Sequence, residues 1–151
     1  MSIVGIVNNP VDTEDALINL CNYITNSKGA GMYKYIGGRG LYPETAYDDM
    51  CESQRMFGKI GGRRAYHFFV SFREGTPLIP DEALEMAYEI SDFFYPRHQV
   101  LFGVHTEQSC LHIHFAVSTV SLDGGPKLHL DFKMQHEFKM FVNEIEKKYD
   151  C

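Results

Sequence analysis

The sequence has no apolar run approaching the about 18 residues that a membrane-crossing helix requires, and its first ten residues lack the basic start and cleavage site of a secretory signal. A membrane-embedded or exported product is therefore not expected, and the reading is a cytoplasmic protein with no membrane partner. Cysteine is sparse and has no pattern: Cys21, Cys51, Cys110 and Cys151 are widely scattered, with no C-x-x-C pair. That spacing supports neither a disulfide framework nor a cysteine zinc site, so the four are read as reduced thiols. No internal repeat, low-complexity tract or Pro/Gly/Ser linker divides the 151 residues, so one domain is expected. Positive charge is also in deficit. Fourteen Lys and Arg face 20 Asp and Glu, a net charge of -6, which as a total argues against a surface that tracks phosphates.

What is present changes that first impression. The chain is 44% hydrophobic and 13% aromatic, enough to build a core and too much for a disordered polymer. Its charges are also segregated. Arg55, Lys59, Arg63, Arg64 and Arg73 occur with no acid among them, so a basic patch survives the acidic total. Asp81, Glu82, Glu85, Glu89 and Asp92 instead fall at the spacing of a helix's wet side.

The apolar pattern predicts a strand over Ser2 to Val7, followed by a helix that starts at Asp12 and Thr13. Ala16, Leu17, Leu20, Cys21 and Ile24 recur through that helix at helical spacing, and Tyr23 lies near its end. Glycines between Met32 and Leu41 suggest a loop or short hairpin, and Pro43 to Phe57 reads as a helix. AYHFFVSFR, from Ala65 to Arg73, is a strand with His67, Phe69 and Ser71 on one face and Phe68, Val70 and Phe72 on the other. A helix is expected from Pro80 to Tyr95, with Pro96 just past its end, and strands over Gln99 to Val104 and Leu111 to Val120. A short strand at Lys127 to Leu130 and a helix from Phe132 to Tyr149 complete the series. This order implies an α+β fold, an antiparallel or mixed sheet of about five strands with helices packed on it.

The densest chemistry lies in His105-Thr106-Glu107 and Leu111-His112-Ile113-His114-Phe115-Ala116-Val117-Ser118. On a strand, His112, His114, Ala116 and Ser118 share one face, so two imidazoles project side by side. With His105 at the end of the neighbouring strand they form a candidate facial set for a divalent ion. Glu107 is able to orient one ring or reach the ion itself. Known three-histidine patterns are not met: a histidine-triad hydrolase needs His at position 116, which is Ala116, and no His-Glu-x-x-His of a zinc protease occurs.

HTEQSCLHIHFAVSTVS resembles the metal-binding motif of the relaxase, or mobilisation nuclease, family. These are HUH-type endonucleases that nick one strand of plasmid DNA at a transfer origin and stay attached through a tyrosine. The family pattern, approximately His-x-Asp-x-x-x-x-His-x-His-x-x-x-Asn, is matched in register by His105, Glu107, His112 and His114, with Glu for Asp and with Ser118 in place of Asn. AYHFFVSFREG resembles the second motif, which would set Ser71 near the DNA backbone, and LINLCNYITNSK resembles the first, which carries the nucleophile, here Tyr23. The resemblance spans about residues 1 to 148.

It implies an HUH-like fold, with Mg, Mn or a Zn-like ion on His105, His112 and His114, and catalytic roles for Tyr23 and Glu107. Ser71, Arg73, Arg63, Arg64 and Ser118 would contact DNA. The partners would be single-stranded DNA at a transfer origin and accessory mobilisation proteins. Residues 1 to 151 would then be one nuclease domain, the N-terminal part of a longer protein. Two other readings stay open: a DNA-binding or regulatory module without turnover, and a metal-dependent phosphoesterase that uses water. Tyr33, Tyr35 and Tyr42 are alternative phenols, and the spacing of Ala16, Leu20 and Tyr23 also suits a buried helical stripe.

Overall fold

The computed structural model describes residues 2–26, 33–106 and 110–149. The strands are β1 (Ile3–Val11), β2 (Ile36–Arg39), β3 (Ala65–Ser71), β4 (Val100–His105) and β5 (His112–Ser118); the helices are α1 (Glu14–Thr25), α2 (Ala46–Met56), α3 (Pro80–Ser91) and α4 (Phe132–Lys147). The strands form one sheet in the order β1-β3-β5-β4-β2, and every neighbouring pair is antiparallel. The fold is α+β, as the element order predicted.

Alternation along the strands decides which helices cover which face. Phe68 and Val70 of β3, Phe102 and Val104 of β4, and Ile113 and Phe115 of β5 pack against Met86 and Ile90 of α3 and Phe138 and Val142 of α4. The opposite face offers small or aliphatic residues, Ala65, Leu101 and Ala116, to Leu17, Leu20 and Ile24 of α1 and Met50 of α2. α1 is fixed at both ends. Thr13 Oγ1 accepts a hydrogen bond from the Ala16 N–H, and Asn26 stops the helix in the left-handed region with φ 58°.

The structure departs from the sequence reading in four elements. α3 ends at Ser91 and not at Tyr95. β1 runs on to Val11 instead of stopping at Val7: its pairing with β3 is irregular across Asn8, Asn9 and Pro10 and resumes at Val11 opposite Ala65. An edge strand tolerates Pro, because the missing N–H need not reach a neighbour. The segment read as a loop or short hairpin contributes β2, a single strand laid against β4. Lys127 to Leu130 is not a strand: the Leu128 N–H bonds to the Thr119 carbonyl and the Leu130 N–H to the Tyr66 hydroxyl, neither of which is part of a ladder.

Candidate active site

Three parallel rows of side chains build the site on the sheet face that α1 covers. The outer row runs Ser71 (β3), His112 (β5), His105 (β4); the next runs Gly5, Phe69, His114, Gly103; the inner one runs Val7, His67, Ala116, Leu101. Gly103 lets α1 approach closely, since a Cβ there would collide with the Ile24 carbonyl oxygen. That carbonyl accepts a hydrogen bond from His105 Nε2 at 3.2 Å, tying the end of α1 to β4.

The close crossing brings Tyr23 onto the histidines. Its hydroxyl is 3.5 Å from His114 Nε2. Its ring meets His105, His114 and His67 edge-on, at centroid separations of 5.1, 5.1 and 5.8 Å. Tyr23 is 51% exposed, so it stands outside the buried stripe of Leu17, Leu20, Cys21 and Ile24 on its own helix. A cavity of about 410 Å³ opens beside it between β1 and α1, with Pro10, Ala16, Asn19, His67 and His114 in its wall.

The imidazoles are not equivalent. His105 and His114 lie 4.5 Å apart between centroids, whereas His112 stacks parallel to His114 at 6.1 Å and remains the more accessible. Burial, reinforced by His105, pushes His67 down to about 4. Burial, with His105, His67 and His112 adding repulsion, pushes His114 down to about 3. Both are therefore neutral at pH 7, the form in which imidazole binds metal ions or accepts a proton. A carbonyl can only accept, so His105 donates through Nε2 and, when neutral, carries its lone pair on Nδ1.

The remaining predicted residues divide sharply. Ser71 sits directly across the ladder from His112, and Arg73 is exposed just beyond it. Arg63, at the other end of β3, is partly exposed and lies over the Tyr66 ring at 4.6 Å. Arg64 and Ser118, read as DNA contacts, are instead buried: Gln54 accepts from Arg64 Nε and donates to the Ser118 hydroxyl. Those side chains hold α2 to the sheet and have no surface to offer a ligand. Glu107 lies outside the described residues. Of the alternative phenols, Tyr33 has its ring 4.8 Å from that of His105, Tyr35 packs on the larger core, and Tyr42 is largely exposed.

One residue of the cluster was missed. His67 places Nε2 2.8 Å from His114 Nδ1. The alternation of AYHFFVS put it on the same face as Ser71, which was the available sign, but only the pairing of β3 with β5 could set it beside His114.

Imidazoles from the adjacent strands β4 and β5 are suitable donors for a divalent ion, so the residues present fit one in their chemistry. As the side chains stand, no three His, Cys, Asp or Glu among the described residues are gathered tightly enough to enclose it.

The site is an accessible tyrosine set among imidazoles on one face of an antiparallel sheet. A family model described as the nuclease domain of MobA/VirD2-like relaxases matches residues 23–151, and the chain belongs to that family. Curated relatives from Staphylococcus aureus, each called Protein rlx, are 24% identical over 93 residues and 26% identical over 84, covering 62% and 56% of this chain. The matched segments span only 28% and 26% of those relatives' own length. Among the described residues no helix is long and apolar enough to cross a membrane.

Proposed function

We propose that this chain nicks one strand of DNA by transesterification at the transfer origin of a plasmid or mobile element, in the cytoplasm, with Tyr23 as nucleophile. The observation that carries the reading is the approach of the Tyr23 hydroxyl to a neutral histidine, 3.5 Å from His114 Nε2, in a member of a relaxase nuclease family.

The Tyr23 oxygen bonds to phosphorus as the bond from phosphorus to the 3′ oxygen breaks. The phenolic proton is balanced by the one the departing 3′ hydroxyl takes up. The product is a 5′-phosphotyrosyl link that keeps the energy of a diester, so the free 3′ hydroxyl can reverse the step without ATP. An ordinary phenol titrates near 10, and Tyr23 must lose its proton in the attack. In the ion-free site His114 meets the phenol through Nε2, and α1 holds the ring against the sheet.

His105, His112 and His114 would hold a divalent ion. Bound there, it would withdraw charge from the phosphate and favour the ionised phenol. Glu107 is assigned as the carboxylate that supports this donor set. Ser71 and Arg73 beside the outer row, and Arg63 at the far end of β3, would bind the DNA backbone, and the cavity next to Tyr23 has room for a nucleobase. Accessory mobilisation proteins would deliver the origin.

The test is adduct formation on an origin oligonucleotide, read on a denaturing gel. The wild type and a Tyr33→Phe variant should form the adduct, Tyr23→Phe should not, and chelator or His112→Ala with His114→Ala should remove it. An adduct that survives in Tyr23→Phe rejects the assignment of the nucleophile. Nicking without any adduct would point to the water-using phosphoesterase.

A further inference from the structure

His67 lies outside every residue set that pointed to the site, yet it contacts His114 more closely than Tyr23 does. It comes from β3, opposite Ala116 and one row deeper than His114, and is 8% exposed. A nitrogen-to-nitrogen contact of 2.8 Å holds one proton, so one ring donates and the other accepts, and the two tautomers are tied together.

The direction of that bond matters at the other side of the His114 ring. If His67 donates to His114 Nδ1, a neutral His114 carries its proton on Nε2, pointing at the Tyr23 hydroxyl 3.5 Å away. Nε2 then has no lone pair for either the phenolic proton or a cation. If His114 donates from Nδ1, its Nε2 lone pair faces the phenol. Histidines that work through one ring nitrogen generally have the other hydrogen-bonded to an acceptor that fixes tautomer and ring orientation, most often a carboxylate or carbonyl. At His114 the group in that place is the imidazole of His67.

We propose that His67 is a positioning residue that accepts the Nδ1–H of His114 and so keeps the His114 Nε2 lone pair turned toward Tyr23, an inference that rests on the reading of Tyr23 as the nucleophile. His67 touches neither the scissile phosphate nor the ion; it acts through His114. Because it sits on β3 and its client on β5, the sheet itself sets the alignment.

Long-range ¹H–¹⁵N correlation spectra of the metal-free wild type at neutral pH read the tautomers directly. The expected result is a protonated Nδ1 on His114 and an unprotonated Nε2 on His67. A His114 protonated on Nε2 overturns the proposal, as does a His67 Nε2 resonance that moves to a metal-bound position on adding Zn. In His67→Gln the side-chain carbonyl can still accept, so the His114 tautomer and most of the adduct-forming rate should survive. In His67→Leu the tautomer should shift, and the rate should fall about 10- to 100-fold. Equal rates in two folded variants would make His67 merely structural and end the proposal. The tautomer measurement involves no DNA, so an adduct that persists in Tyr23→Phe would reject the nicking mechanism while leaving this reading separately judged.

Discussion

At the scale of single residues, burial fixes the state of the histidines. His67 and His114, held near 4 and 3 against an ordinary value of 6.5, bind protons more weakly in the folded chain than in the unfolded one. Stability therefore rises with pH across that window: the full contribution is present above about pH 6.5 and is lost as pH falls toward the folded values. The metal-free protein should melt at a steady temperature near neutrality and at progressively lower ones from pH 6.5 to 5, with a shallower decline in His67→Gln. Parallel melting curves for the two proteins would contradict the assigned depression. Arg64 makes the opposite point. Its charge made it a DNA candidate, but it is buried against Gln54 and the Cys51 sulfur, an ordering of α2 and β3 that composition cannot reveal.

At the scale of elements, the critical contact is the crossing of α1 over β4 and β5. The helix is legible in the sequence from Thr13 to Asn26, and its capping bonds are local. How close it comes is decided by Gly103, which faces the Ile24 backbone. A carbonyl belonging to a helix cannot step aside as a flexible side chain can, so Gly103→Ala must lift the end of α1. It should cost about 1 to 3 kcal/mol in urea unfolding and reduce Tyr23 adduct formation out of proportion to the loss of folded protein. Unchanged stability together with an unchanged adduct rate would mean that the crossing does not depend on this glycine. β1 and β2, both edge strands, were the least legible elements. Asn8, Asn9 and Pro10 signal a turn locally, and the four residues of β2 carry two glycines, so neither edge declares itself without its neighbour.

At the scale of the whole molecule, a sheet covered on both faces confines the site to one end of one face, and the acidic total of -6 restricts phosphate contacts to local positions. Arg63 and Arg73 lie beyond the two ends of β3, and on the proposed reading each would be a separate phosphate contact. Each phosphate contact contributes about 0.7 to the slope of log affinity against log salt for single strands. Replacing both arginines with alanine should therefore flatten that slope by about 1.4, as measured by fluorescence anisotropy with a labelled oligonucleotide. An unchanged slope would place the DNA elsewhere.

Legible without any coordinates were the α+β class, the two-faced strands around Phe68 and Phe115, the pairing of His112 with His114 on one face, the helix bearing Tyr23, and the family. These follow from periods of two and 3.6 residues and from short motifs, which are properties of neighbouring residues. The meeting of Tyr23 with His114, 91 positions apart, the entry of His67 into the cluster and the burial of Arg64 and Ser118 were decided only by tertiary structure. Each depends on the strand order β1-β3-β5-β4-β2 and on how closely a helix can settle on a glycine, and no local period encodes either.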